Sequence, residues 1–92
     1  MHEAALFRDL RAKLVEVAEL ERATSIRRAV IWIGALSHVN EEHLREEWPE
    51  IVRGTPAEGA RLDVEVSEDP ADSRSSSLVL RSVDVTGAEA ER

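Results

Sequence analysis

The stretch IRRAVIWIGAL, residues 26–36, decides the fold. After Arg28 it is apolar and rich in β-branched residues, which is typical of a β-strand. Successive side chains of a strand point to opposite faces. The alternation places one apolar set on each face: Ala29, Ile31 and Ile33 on the first, Val30 and Trp32 on the second. Because both faces are apolar, we predict a strand that is covered on both sides over much of its length.

An amphipathic helix precedes this strand, from Glu3 to about Arg22. Its apolar residues recur every three or four positions, which is the spacing of one helix face. They are Leu6, Leu10, Leu14, Val17 and Ala18. Charged residues fill most other positions, and we expect the helix to end before Thr24 and Ser25.

A second helix follows the strand and begins after Asn40, a residue type that caps helix N-termini well. Two glutamates in its first turn suit the positive end of the helix dipole, and Gly54 is its natural end. Pro49 lies inside this pattern and has no backbone N–H to donate. We therefore expect a kink in this helix, or a break near Glu47.

Two further strands are predicted in the second half of the chain. Residues 60–67 alternate between apolar and polar, and residues 78–85 return to β character. The intervening residues 68–77, EDPADSRSSS, have the composition of a loop. We predict an α+β fold ordered α-β-α-β-β, with a mixed three-stranded sheet and both helices on one face. The last two strands are expected to form a hairpin, followed by a flexible tail at residues 86–92.

Composition limits the size and the functional class. The chain has 92 residues, a net charge of −7 and no cysteine. Residues 1–92 form one domain, because half of this length lies close to the roughly 40 residues below which a core needs disulfides or metals. The excess of acidic residues argues against nucleic acid as a binding partner. No apolar run approaches the ~18 residues that a membrane-spanning helix needs. We expect a cytoplasmic protein that binds neither nucleic acid nor membranes.

Catalytic motifs are missing from the sequence. It contains no GxxxxGK, GxGxxG, HExxH or GxSxG pattern, and without cysteine it has no thiolate zinc site or cysteine nucleophile. Its carboxylates fall mostly on predicted solvent faces. We therefore do not expect an enzyme.

The opening residues Met1-His2-Glu3 offer the donors of a metal chelate. A bulky second residue normally prevents removal of the initiator methionine, so we expect a free amine on Met1. That amine, the backbone nitrogen of His2 and its imidazole can bind one ion in fused rings. The Glu3 amide or another donor completes a square plane, a geometry that suits Ni(II) or Cu(II) better than Zn(II). On spacing alone, an ordinary exposed terminus is the more frequent outcome.

The other two histidines flank Asn40. For His43, which lies near Glu46 and Glu47, we favour a surface ion pair over a weak auxiliary metal site. His38 is considered as an auxiliary nickel ligand, on the condition that the first helix begins near the end of the first strand.

Four stretches, taken in chain order, resemble a known family. They are MHE at residues 1–3, IGALSHVNEEHLREEW at 33–48, RGTPAEGARLDVEV at 53–66 and LVLRSVDV at 78–85. Over almost its whole length the chain resembles the hydrogenase nickel-incorporation proteins of the HypA/HybF type. The resemblance implies a small metallochaperone that binds nickel at its N-terminus. It also implies a GTPase maturation partner and transfer toward the large subunit of a [NiFe]-hydrogenase, or in some organisms toward urease. Met1, His2 and Glu3 carry over as nickel-binding positions.

The zinc ribbon of that family has no counterpart in this chain. Family members carry two CxxC pairs between the last two strands, where this chain has residues 68–77 and no cysteine. We therefore expect Ni(II) and no zinc. The first hypothesis is a zinc-free nickel-binding protein for the maturation of a nickel enzyme. The alternative is a paralogue that acts as a structural or regulatory subunit without metal transfer. An engineered deletion is a third reading, which the non-repetitive linker disfavours.

A domain of this size with few aromatic residues also leaves its sheet edges to be covered. A homodimer or a partner protein is the expected way to cover them.

Overall fold

The computed structural model describes residues 2–87, with only the backbone of His2 included. It contains five elements: α1 (His2–Leu20), β1 (Ser25–Ile33), α2 (Glu41–Val52), β2 (Arg61–Val66) and β3 (Leu78–Thr86). The predicted α+β class, the element order and the mixed three-stranded sheet are confirmed. Thr86 is the last residue of β3, so the predicted tail begins one residue inside the strand. Residues 88–92 of that tail lie outside the described residues.

Strand β1 occupies the centre of the sheet, in the order β2-β1-β3. It pairs with β2 in parallel and with β3 in antiparallel, so Ile33 faces both Val66 and Leu78. The predicted hairpin between the last two strands is therefore wrong, since they lie at opposite edges. Strand β1, which is apolar on both faces, is therefore the central strand. Residues 67–77 carry the chain past it from one edge to the other.

The main core lies between one face of the sheet and both helices. Leu14 of α1 and Leu44 of α2 are fully buried in one cluster with the first apolar set of β1, as the alternation predicts. Val30 and Trp32 are buried outside that cluster, on the second face of the sheet. Both helices thus pack on the same face of the sheet, as predicted. Within residues 2–87, neither helix combines the length and the apolarity that a membrane-spanning helix requires.

Helix α2 continues through Pro49 without interruption, so a break near Glu47 is wrong, while the kink that was the other expectation stays a prediction. Three residues within three positions of the proline are buried in the core: Trp48, Ile51 and Val52. Tertiary packing thus holds the helix on both sides of the proline, at the cost of one backbone hydrogen bond.

Both ends of α2 have the caps that the sequence predicts. Asn40 is extended, and its Oδ1 accepts a hydrogen bond from the backbone N–H of His43 at 2.8 Å. At the other end, Gly54 follows the helix with a φ of 75°. Glycine adopts this left-handed conformation without steric cost, which allows the chain to turn toward β2.

The segment 67–77 folds back against the second face of the sheet. The guanidinium of Arg74 lies 5.4 Å from the ring centroid of Trp32, within cation–π range. The backbone N–H of Gly34 donates to the carbonyl of Ser77 at 2.9 Å, just beyond the end of β1. This segment therefore covers one end of the second face of the sheet.

Candidate metal centre

The proposed chelate lies at the beginning of α1, which starts at His2. The first N–H groups of a helix have no acceptor within the helix, so the backbone nitrogens of His2 and Glu3 do not take part in its hydrogen-bond ladder. Met1 and the side chain of His2 lie outside the described residues. Of the three positions of the predicted chelate, Glu3 is the one whose side chain the structure describes.

The carboxylate of Glu3 contacts the imidazole of His43, and this contact joins α1 to α2. Glu3 Oε2 lies 3.0 Å from His43 Nδ1, and the two side chains are 40% and 32% exposed. On the other side of the ring, His43 Nε2 lies 4.0 Å from Glu47 Oε2, one turn further along α2. The predicted pairing of His43 with a neighbouring glutamate is thus found at Glu47. Its spacing of four is the signal that predicts it, whereas no local spacing predicts a contact between residues 40 positions apart.

The ring of Phe7 in α1 also packs against the ring of His43. The two ring centroids lie 5.6 Å apart at an interplanar angle of 85°, an edge-to-face arrangement. Three side chains from both helices therefore contact one imidazole: Glu3, Phe7 and Glu47. The orientation of this ring is set by its surroundings.

These side chains do not by themselves form a metal site. Glu3 and Glu47 lie at opposite nitrogens of the His43 ring, so the three groups do not converge on one ion. Within the described part of the chain, no group of three or more His, Asp or Glu side chains is placed to hold a metal ion. His38 lies exposed between β1 and α2, and its role as an auxiliary ligand stays a prediction.

A second cluster of charged groups lies on the other face of the sheet. The Arg28 guanidinium hydrogen-bonds the carboxylate of Asp63 and lies 3.6 Å from that of Asp84. The hydrogen bond from Arg28 holds the pKa of Asp63 below its usual range, although partial desolvation acts in the opposite direction. Arg81 lies 3.8 Å from Glu65 on the same face. The charges of this cluster are paired with each other, so it has the character of a surface layer over the sheet.

The chain matches a family of known proteins over most of its length. The family described as "Hydrogenase/urease nickel incorporation, metallochaperone, hypA" matches residues 1–75. A hydrogenase maturation factor HypA from Methylocella silvestris is 35% identical over 66 residues, which cover 72% of this chain and 58% of the relative. A protein of the same name from Azoarcus sp. is 35% identical over 65 residues, which cover 71% of this chain and 57% of the relative.

The chain therefore spans somewhat more than half the length of the two relatives. The family match begins at residue 1, so it includes the three positions of the predicted chelate. It also includes both helices, β1 and β2. On this match, which covers well over half of its residues, the chain belongs to the HypA family of hydrogenase and urease nickel-incorporation proteins.

Proposed function

We propose that this chain binds Ni(II) at its N-terminus and carries it during the maturation of a [NiFe]-hydrogenase or another nickel enzyme. The observation that supports this most directly is the family match, which begins at residue 1 and so includes Met1, His2 and Glu3. Nickel is the cargo of this function. The role is that of a carrier, without catalysis.

The proposed donors are four nitrogens. They are the amine of Met1, the imidazole of His2, and the backbone nitrogens of His2 and Glu3. Helix α1 begins at His2, so these backbone nitrogens can release their protons to solvent and bind the metal instead, without breaking a helical hydrogen bond. Nitrogen donors in a plane favour Ni(II). The chain has no cysteine, so a thiolate zinc site of the family type has no ligands here, and we propose a carrier without zinc.

Titration of Ni(II) into the native, untagged protein tests this proposal. We expect one equivalent to produce the visible band of square-planar nickel. The band should be absent in His2→Ala and in a protein whose N-terminus is extended or acetylated. His38→Ala is titrated in parallel and distinguishes the N-terminal chelate from binding by another histidine. No band in the native protein, or an equal band in His2→Ala, contradicts the proposal.

The proposed site also predicts a pH dependence. An α-amine has an ordinary pKa of about 7.7–8.0 and an imidazole one of about 6.5, and both must lose a proton to bind nickel. Affinity should therefore fall steeply as the pH is lowered from about 8 to 6. The same titration in buffers across this range measures the effect.

The setting proposed for this function is the cytoplasm, with a GTPase maturation partner and the large subunit of the nickel enzyme as the recipient. Both outer strands of the sheet have one edge that no other strand of the described chain pairs with. An unpaired edge is a common place for another chain to add. A homodimer or a partner protein that covers one of these edges is part of the proposal.

A structural or regulatory subunit is the second candidate function. Its support is the segment 68–77, which has no cysteine at the place where the resemblance implies a zinc ribbon. A paralogue of this kind keeps the scaffold and one partner surface without metal transfer. Absence of the nickel band, together with a stable complex with the large subunit in size-exclusion chromatography, favours this function over the first.

A further inference from the structure

We propose that His43 is a positioning residue for the N-terminal nickel site, and that it acts by holding the carboxylate of Glu3. This inference rests on the proposed nickel function. In it, Glu3 contributes to the metal through its backbone nitrogen, while its side chain anchors the start of α1 to α2.

The geometry places Glu3 at the junction between the chelate and the folded domain. It is the last residue of the three that bind nickel and the first with a described side-chain contact to another element. Its partner, His43, lies in the first turn of α2, where Asn40 accepts a hydrogen bond from the His43 backbone N–H at 2.8 Å. The anchor is therefore itself held by a capped helix.

Two further side chains flank the imidazole that contacts Glu3. Phe7 contacts the ring edge-to-face at 5.6 Å between centroids, and Glu47 lies 4.0 Å from the opposite ring nitrogen. Together these contacts favour the orientation in which Nδ1 faces Glu3. This is the arrangement expected of a group that orients another residue.

Loss of this anchor should weaken nickel binding without changing the donors. The Glu3 side chain would then no longer fix the start of α1 to α2, and fixing the donors when the metal binds would cost more conformational entropy. The Glu3 and His43 side chains are partly exposed, and pairs of this kind contribute at most about 1 kcal/mol, which corresponds to about fivefold in affinity. We therefore expect the dissociation constant for Ni(II) to rise by up to about fivefold.

Competition of the native, untagged chain against a chromogenic nickel chelator, together with the visible spectrum, measures this effect. His43→Leu should weaken binding by up to about fivefold, with the nickel band at the same wavelength. His43→Asn keeps a side-chain nitrogen close to the place of Nδ1 and should restore most of the affinity. Glu3→Ala, which keeps the backbone nitrogen, should weaken binding as much as His43→Leu does. The double variant should bind no more weakly than Glu3→Ala alone.

Glu46→Gln is the matched control, since it changes an exposed side chain on the same helix and should bind as the native chain does. Equal affinities of the native chain, His43→Leu and Glu3→Ala overturn the inference while leaving the nickel function intact. A shifted or missing band in His43→Leu also overturns it, because His43 would then be a ligand. Absence of the band from the native chain is a separate result, since it overturns the nickel function itself. Circular dichroism of each variant confirms that the helices remain folded.

Discussion

At the scale of single residues, Asp63 is the centre of a group of paired charged side chains that covers part of the second face of the sheet. Arg28 and Arg61 both donate hydrogen bonds to its carboxylate, the latter at 3.2 Å to Oδ1. Asp63 lies opposite Val30 in the parallel ladder, and Val30 is buried although neither of the two described helices packs on that face. The paired charges and their aliphatic stems therefore shield an apolar position from water.

Replacement of Asp63 with asparagine should reduce the dependence of stability on acid pH. The Arg28 hydrogen bond lowers the pKa of Asp63 in the folded state. Its contribution to stability is therefore complete above the ordinary value of about 3.9 and disappears as the pH falls through the lower folded value. Asp63→Asn should be less stable than the native chain at pH 7, and this difference should narrow below about pH 4. Urea unfolding at pH 7, 4 and 3 measures it.

Asp9→Asn is the control for this experiment, because Asp9 is exposed on α1. Its unfolding curves should follow those of the native chain at each pH. A difference between Asp63→Asn and the native chain that stays constant from pH 7 to 3 would show that the Asp63 ion pair does not contribute in the expected way.

At the scale of elements, α2 is the helix on which the candidate site depends. It carries His43, and it also buries Trp48, whose Nε1 donates to the carbonyl of Ala60 at 3.0 Å. The cap at Asn40 was predictable because capping depends on one residue type at one position. The continuity of α2 through Pro49 was not predictable from the sequence, because helix propensity is a weak guide where buried neighbouring residues hold the backbone.

Removal of the Asn40 side chain should destabilise α2 from its first turn. Asn40→Ala loses the hydrogen bond that the His43 backbone N–H donates to Oδ1, and it should lower the free energy of unfolding by about 1 kcal/mol. Chemical denaturation monitored by circular dichroism measures the change. Asn40→Asp keeps an acceptor oxygen at the same place and should remain close to the native value. If the alanine and aspartate variants are equally stable, the cap contributes less than its geometry implies.

At the scale of the whole molecule, the segment 67–77 covers part of the second face of the sheet. It connects the two edge strands and places Arg74 over Trp32. A close backbone approach makes this packing possible, since a Cβ added at Gly34 would lie 2.2 Å from the carbonyl oxygen of Ser75. Only glycine fits between the end of β1 and this segment.

Substitution of Gly34 with alanine should displace the segment 67–77 and expose Trp32. The new methyl group overlaps the backbone at Ser75, and overpacking of this kind costs about 1–3 kcal/mol. Three changes are expected: lower stability, red-shifted tryptophan fluorescence and faster tryptic cleavage after Arg74.

Gly59→Ala is the matched control for that variant. Nothing lies within 4 Å of an added Cβ there, but the φ of 82° is unfavourable for alanine. It should lose stability without faster cleavage after Arg74. Equal cleavage rates in the Gly34→Ala and native chains would show that the segment does not depend on this close approach.

The sequence by itself determined the elements and the end of the chain at which metal chemistry was to be sought. The 3.6-residue and two-residue periodicities, the Asn40 cap and the His2 position are local signals, and each acts through neighbours a few residues away. Only the tertiary structure decided that β1 lies between β2 and β3, that Pro49 stays within one helix, and that Glu3 meets His43. These features depend on contacts between residues distant along the chain and on how much apolar surface each arrangement buries, which no local spacing encodes.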